Sequence, residues 1–369
     1  MLDRLVRLIT SLRLTVVLLA LGLLLVFWGT LAQVELGLYR AQNEFFRSFL
    51  VFERFPGLGF RIPFPGGYAI GGLLLINLFA AHFRYYQPGK KKYGIMLIHG
   101  GLVLLIAGQF LTDILAKESM LHLRDGESKN YSESSDRFEL AIVDTTDANT
   151  NQVVTIADHR LERGGEIRHP DLPFGVRVHA YHANSEVADK PTPGFTAVEG
   201  AGVWWRDLPH VTAMDKRDVP SGIVELDPLG RYFVSVFLNE PQTFTYQGRR
   251  YEMALRQVRF YKPFTLHLVE FRHDKYPGTE IPKNFSSRVR LERTATGERR
   301  EVLIYMNNPL RYEGETYYQA SFDPDNQGTV LQVVRNPSWL TPYFACVLVG
   351  LGLLVQFGQH LLAFARKRP

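Results

Sequence analysis

Four apolar runs, residues 12–32, 67–84, 93–115 and 339–363, interrupt this chain, and each is about as long as a helix needs to be to cross a bilayer. No other feature constrains the fold so strongly. A segment in hydrocarbon must satisfy its own backbone hydrogen bonds, and an isolated stretch of chain does so as a helix. Between the third and fourth runs lies a polar stretch of roughly 220 residues, large enough for one or two domains with cores of their own. The expected architecture is a membrane part of four transmembrane helices plus one large extracytoplasmic antiparallel β domain. Residues 1–115 would hold three helices and an amphipathic outer loop at 33–66, residues 116–338 the β-rich domain of one or two lobes, and 339–369 the fourth helix and a basic cytoplasmic tail.

Orientation follows from the basic residues. Arg4, Arg7 and Arg13 precede the first run, Arg84 and Lys90 to Lys92 fill the turn after the second, and Arg366, Lys367 and Arg368 end the chain, with Asp3 the one acid among them. The positive-inside rule places all three clusters, and both termini, in the cytoplasm. The first run has the basic start of a secretory signal but lacks a clean cleavage site, so it reads as an uncleaved anchor. The isoelectric point near 9.1 belongs to these clusters. Residues 117–338 carry 28 basic against 32 acidic side chains, an acidic balance that excludes nucleic acid as a partner.

The third run carries one ionisable group well inside it, His99. Seven residues separate it from Lys92, roughly 10 Å along a helix, which puts the ring in the hydrocarbon. An ionisable side chain there is costly unless it meets protein, water or a ligand, so it is a functional candidate; the plainer reading is a hydrogen bond between helices. Gly94, Gly101 and Gly108 recur every seven residues and give one face a smooth stripe for close helix packing. His99 lies almost opposite that stripe. His360, six residues before Arg366, falls near the same depth, whereas His82, two residues from Arg84, belongs to the wet interface and ranks behind both as a ligand. Gly67-x3-Gly71 in the second run reads as another close-packing signal, and Asn77 lies in its interior.

Residues 33–66 are rich in aromatics, Pro and Gly. Arg40, Arg47, Arg54 and Arg61 recur at seven-residue intervals, but the prolines exclude one helix through all four. A short amphipathic segment near 41–54, lying on the outer membrane surface, is expected. From residue 119 the apolar period becomes alternating. Residues 138–143, 175–181, 232–238, 264–271, 287–292 and 329–334 read as strands, with Gln247-Gly, Thr296-Gly and Glu313-Gly as turns, giving a sandwich or open barrel whose lobes would join near 184–230.

Neutral imidazole, the form favoured in a low-dielectric pocket, is the metal-ligating form. Zinc or copper would need three or four N/S ligands together, which a chain with one cysteine, Cys346, and scattered histidines does not offer. Haem iron, whose macrocycle suits an apolar pocket, is the sharper expectation. His179 and His182 alternate across a strand and cannot form one site. With His122, His159, His169, His210, His267 and His273 they read as surface or core residues. Trp204-Trp-Arg-Asp lacks the length and flanking histidines of a tryptophan-rich haem segment. No phosphate loop, nucleophile elbow or metalloprotease helix occurs.

The chain resembles the ResB-like cytochrome c biogenesis proteins, the CcsB half of the System II CcsBA haem synthase. The resemblance rests on Ser11-Leu-Arg-Leu-Thr-Val-Val-Leu-Leu, Ile98-His-Gly-Gly-Leu-Val-Leu-Leu-Ile-Ala-Gly, Tyr276-Pro-Gly-Thr-Glu-Ile-Pro-Lys-Asn-Phe-Ser-Ser, Asn308-Pro-Leu-Arg-Tyr-Glu-Gly-Glu-Thr-Tyr-Tyr-Gln-Ala-Ser-Phe-Asp and Val334-Arg-Asn-Pro, in the family's order and topology. It implies a protein of the bacterial cytoplasmic membrane that carries haem b outward with a CcsA-like membrane partner and presents it to apocytochrome c at its CxxCH motif. It implies a share in a haem lyase complex rather than activity alone. The family's transmembrane haem ligand falls on His99; a second axial ligand would come from the partner, with His360 as the in-chain alternative. A membrane-anchored sensor or scaffold with a ligand-binding β domain is the rival reading, and a b-type electron carrier a third.

Overall fold

The computed structural model describes residues 2–52, 63–84, 92–148, 150–188, 204–209, 211, 218–238, 240–279 and 282–366. They form two units, one helical, from residues up to 116 and from 336 onward, the other of β-structure within 117–335.

The helical unit opens with a short helix, α1 (Leu2–Ile9), and continues as α2 (Leu12–Leu36), capped by Ser11, whose hydroxyl accepts from the Arg13 amide. A turn, α3 (Leu38–Ala41), and a π-helical turn, Gln42–Phe46, lead to the paired strands Leu50–Val51 and Phe64–Pro65. Then come α4 (Gly67–Arg84), α5 (Tyr93–Leu115) and, after the β unit, α7 (Thr341–Ala365). The apolar runs thus fold as helices within a few residues of their expected limits. Three of them, α2, α5 and α7, are long and apolar enough to cross a membrane. Helix α4, with 18 residues, spans about 27 Å, and Asn77, His82 and Arg84 dilute its apolar character. Leucines and phenylalanines such as Leu23, Leu354 and Phe357 point outward, each more than two-thirds exposed, as a lipid-facing surface requires.

Two polar nodes tie the bundle. Asn77, only 2% exposed, accepts from the Thr15 hydroxyl at 2.6 Å and donates to the carbonyl oxygens of Ile9 and Ser11. Thr112 at the end of α5 meets the Ser338 hydroxyl at 2.9 Å and the Asn336 amide at 3.2 Å. In the segment after α2, residues 38–46 bury Ala41 and Phe45 with Leu25, Trp28, Val51 and Ile70 and leave Arg40 and Arg47 exposed. Trp28 and Phe45 meet edge to face at 5.2 Å, and burying such rings outweighs the exposure of the flanking arginines. Arg54 and Arg61 lie outside the described residues.

In the β unit every pairing is antiparallel. One sheet runs in the order Glu298–Tyr305, Pro282–Arg293, Arg249–Lys275, Ser128–Asp144, Lys117–Arg124, Gly328–Arg335, Glu315–Phe322, Leu310–Tyr312. Its two ends approach one another, so this part is a nearly closed barrel. Four strands, Gly230–Ser235, Ser221–Asp227, Gly175–His182 and Gly165–Ile167, form a second sheet. A short helix, α6 (Asp158–Glu162), buries Leu161 with them. All six expected strands lie in observed ones, except that the third stops at Ser235 rather than 238. The expected turns are real: Gln247 and Gly248, Glu313 and Gly314, and Gly297 all take positive φ, the conformation tight hairpins require.

Two hydrophobic cores result. One gathers Leu140, Val176, Leu226 and Met253, the other Leu123, Leu266, Leu291 and Leu331. The 27-residue strand Arg249–Lys275 contributes to both, and the 17-residue strand Ser128–Asp144 pairs along it while giving its buried Leu140 and Ile142 to the first. The long strand Arg249–Lys275 thus runs through both lobes; within the expected join at 184–230, Ser185–Ala188 pairs with Trp204–Asp207, and much of the remainder lies outside the described residues. A strand running through both lobes makes a stiffer joint than a proline-rich linker would.

Candidate functional site: a histidine pair between two helices

The glycine stripe of α5 packs on α7. A Cβ built on Gly94 would lie 2.8 Å from the Gln356 backbone nitrogen, one on Gly101 2.9 Å from the Ala345 carbonyl oxygen, and one on Gly108 2.6 Å from Thr341 Cγ2. From α7, Gly352 answers with 2.8 Å to the Gly94 carbonyl oxygen, whereas Gly350 faces open space. Only glycine permits this approach. With that face occupied, His99 turns towards α4.

There it meets His82. The ring centroids are 6.3 Å apart and the planes inclined at 71°. Both rings are half-buried, and Phe83 lies edge-on to His82 at 6.2 Å. His360 behaves differently: its ring is exposed, and its Nε2 sits 2.9 Å from the Gln356 amide one turn earlier. Of the three histidines expected in the membrane part, the structure brings together His99 and His82. Depth along a helix fixes height but not azimuth, and the glycine seam, by turning α7 towards the opposite face of α5, decides the azimuth.

Two imidazoles form an incomplete set for zinc, and among the described residues no group of three or more metal-ligating side chains occurs. They do fit a metal that arrives with its other ligands in place, as an iron porphyrin does.

Sequence reasoning missed a second feature of the same helix pair. Towards the far ends of α4 and α5 the two helices part around a cleft of about 800 Å³, lined by Tyr68, Gly71, Gly72, Leu75, Leu105, Ile106, Gln109 and Phe110 with Gln33, Gln42, Phe46 and Arg47. At its rim Arg47 Nε lies 2.9 Å from Asp113, which also accepts from the Tyr68 hydroxyl. Of the expected Gly67-x3-Gly71 packing signal, only Gly67 is tight, against the Phe46 backbone; Gly71 has nothing near it.

The β-unit histidines are held as ordinary structural groups. His179 binds Glu225 at 2.6 Å and His182 binds Asp207 at 2.9 Å while packing on Trp205, so the two do not share a site. His122 engages Asp323, His267 the Ser128 hydroxyl and His273 Asn326; His159 and His169 lie by Asp158 and Asp171. His210 lies outside the described residues. Trp205 is buried against Phe233. A charged cleft of about 540 Å³ includes Arg259, Lys262, Glu313 and Glu315. Lys262 pairs with Glu315 at 2.5 Å, and Arg259 with Glu133 at 2.9 Å. Burial, and then the neighbouring Glu315 carboxylate, hold the Tyr317 phenol protonated well above the usual range, and it donates to Glu315 at 2.7 Å.

Residues 222–330 match the model of the ResB-like family. Over 294 residues, 78% of its length, the chain is 25% identical to Protein NrfI of Wolinella succinogenes, and that match covers 29% of the relative. The chain thus spans under a third of the length of the curated relative it matches.

Proposed function

We propose that this chain, whose residues 222–330 are ResB-like, is a membrane subunit of cytochrome c maturation that holds haem within its helical unit on the way to an extracytoplasmic apocytochrome c. The observation that carries the reading is the juxtaposition of His99 and His82 across α4 and α5. Haem is cargo here. Its iron brings four ligands of its own and accepts two more, and the chain's part is to supply neutral imidazoles in an apolar setting. His99 is the primary axial ligand. His82 is the in-chain candidate for the second, in place of His360, and a CcsA-like partner competes for that role. In this reading α2, α4, α5 and α7 all cross the bacterial cytoplasmic membrane, both termini are cytoplasmic, and the β unit is outside. There it docks the partner and the apocytochrome.

The test is the visible spectrum of the full chain purified from haem-replete cells, alone and with its partner. A Soret band with split low-spin α and β bands is expected. The variant His99→Ala should lose it, and His82→Ala should weaken it in the isolated chain more than in the complex. If His99→Ala keeps the wild-type spectrum and c-type cytochromes still assemble, the ligand assignment falls. The sensor or scaffold reading would then be the better one.

A further inference from the structure

We infer that the cleft between the far halves of α4 and α5 is a second binding site, for a broad apolar ring system bearing a carboxylate, the tetrapyrrole dicarboxylate class. The proposal rests on the haem reading for the choice of that class, but its geometry is independent of the two histidines. Leu75 is seven residues from His82, and Leu105 six from His99, so the cleft begins about 10 Å along the same helix pair. A ligand moving along the groove between α4 and α5 would pass from one site to the other.

Three observations select the occupant. The first is the space: about 800 Å³ lies in the upper part of the range for small-molecule sites, room enough for a ring system of this class. Gly71 and Gly72 line that space and leave it open, since a Cβ at either would meet nothing within 4 Å. Neither glycine is needed for helix packing, and each leaves room where a larger side chain would stand.

The second is the rim, which already stabilises a carboxylate. Arg47 and Tyr68 both donate to Asp113, and Arg47 remains about half exposed. A guanidinium offers five donors in a planar fork suited to carboxylates. Bound by Asp113 through Nε, it can present its other edge to a ligand carboxylate, and the amides of Gln33, Gln42 and Gln109 add neutral polar groups around it.

The third is a preformed wall. The π-helical turn Gln42–Phe46 supplies Gln42 and Phe46 to the lining and delivers Arg47 immediately after them. Such turns are rare and recur at functional sites. This one is clamped by glycines on both sides: a Cβ on Gly29 would meet the Phe46 ring at 2.9 Å, and one on Gly67 the Phe46 carbonyl oxygen. The wall is in place before any ligand arrives.

Metal-free protoporphyrin IX separates this site from the histidine pair, because it has no iron for an imidazole to hold. The full chain in lipid nanodiscs is titrated with it and binding is read by porphyrin fluorescence. Wild type and His99→Ala should bind alike. Gly72→Leu should weaken binding at least tenfold, Gly72→Ala only slightly, and Gly100→Leu, which adds the same bulk on open surface elsewhere on α5, not at all. Arg47→Gln should weaken the free acid about tenfold and leave the dimethyl ester unchanged. Wild-type binding by both Gly71→Leu and Gly72→Leu overturns the proposal. So does ready displacement by equimolar palmitate, which would make the cleft a lipid slot. Loss of the haem spectrum only in His99→Ala, with porphyrin binding lost only in Gly72→Leu, supports both sites. Normal haem retention in His99→Ala alongside porphyrin loss in Gly72→Leu leaves the cleft standing and removes only the axial-ligand reading.

Discussion

Two neighbouring glycines on α5 should respond to the same mutation with opposite sign. At Gly100 a Cβ meets nothing within 4 Å. Gly100→Ala therefore removes the backbone entropy penalty of glycine without a clash, and should stabilise the helical unit by up to about 0.8–1.0 kcal/mol. At Gly101, one position on, the same Cβ would lie 2.6 Å from Val349 Cγ2 and 2.9 Å from the Ala345 carbonyl oxygen. Ordinary contacts begin near 3.4 Å, so α5 and α7 must separate by roughly half an ångström to an ångström. A gap of that size forfeits about a quarter to a half of each dispersion contact along the seam, and overpacking of this kind costs about 1–3 kcal/mol. Against the propensity gain, Gly101→Ala should destabilise by about 1–2 kcal/mol. The pair then differs by about 2–3 kcal/mol, on the order of 30–150-fold in the folded-to-unfolded ratio. Reversible unfolding of the full chain in mixed detergent micelles measures both on one scale. Equal effects, or a Gly101→Ala variant as stable as wild type, would refute the assignment of the glycine heptad to the α5–α7 seam.

Three further outcomes follow from the described contacts. Asn77→Ala removes the acceptor of the Thr15 hydroxyl and the donor to the Ile9 carbonyl oxygen in a buried site and should cost about 1–3 kcal/mol in the same unfolding assay; Asn77→Asp should not restore the loss, because a carboxylate has no amide to donate. Lys262 and Glu315 are only 10% and 13% exposed. Lys262→Met leaves an uncompensated buried carboxylate and should cost about 3–5 kcal/mol, much of it recovered by adding Glu315→Gln, with urea unfolding of the β unit as the readout. Glu225 is held below its ordinary pKa of 4.5 first by the hydrogen bond from His179 and then by that from Arg231. Its folded pKa is depressed, so its contribution is present above about pH 4.5 and lost as the pH falls through the lowered value. His179→Ala should shift the acid-unfolding midpoint upward, and an unchanged midpoint would show that Arg231 suffices.

Much of this fold is legible in the sequence because hydrocarbon and pleated sheets impose simple periods. The apolar runs mark the helices within a few residues, and Gln247-Gly and Glu313-Gly mark hairpins because few other residue pairs tolerate their φ values. The heptad Gly94, Gly101, Gly108 declares a packing face in the same way. Partner choice is less legible. Nothing local to Gly71 distinguishes it from Gly67, yet one faces a cavity and the other a backbone; the difference lies in where the π-helical turn folds back. For His82 only the height is legible, while its azimuth relative to His99 depends on which faces α4 and α5 share. The rim of the cleft combines residues 47, 68 and 113, which no spacing rule connects, and the buried ion pair of Lys262 with Glu315 joins strands 53 residues apart.

The first and last strands of the β unit are hydrogen-bonded neighbours, with Lys117 opposite Arg335 and Arg124 opposite Gly328. Antiparallel partners lie about 4.5–5.5 Å apart at Cα, so the chain enters and leaves this unit through one doorway. A module with adjoining ends can be lifted out as residues 117–335 or exchanged for another of the same footprint, while the helices on either side are closed by a short loop. Its insertion between α5 and α7 imposes no topological demand on their pairing, which leaves the β module free to diversify over an unchanged helical scaffold.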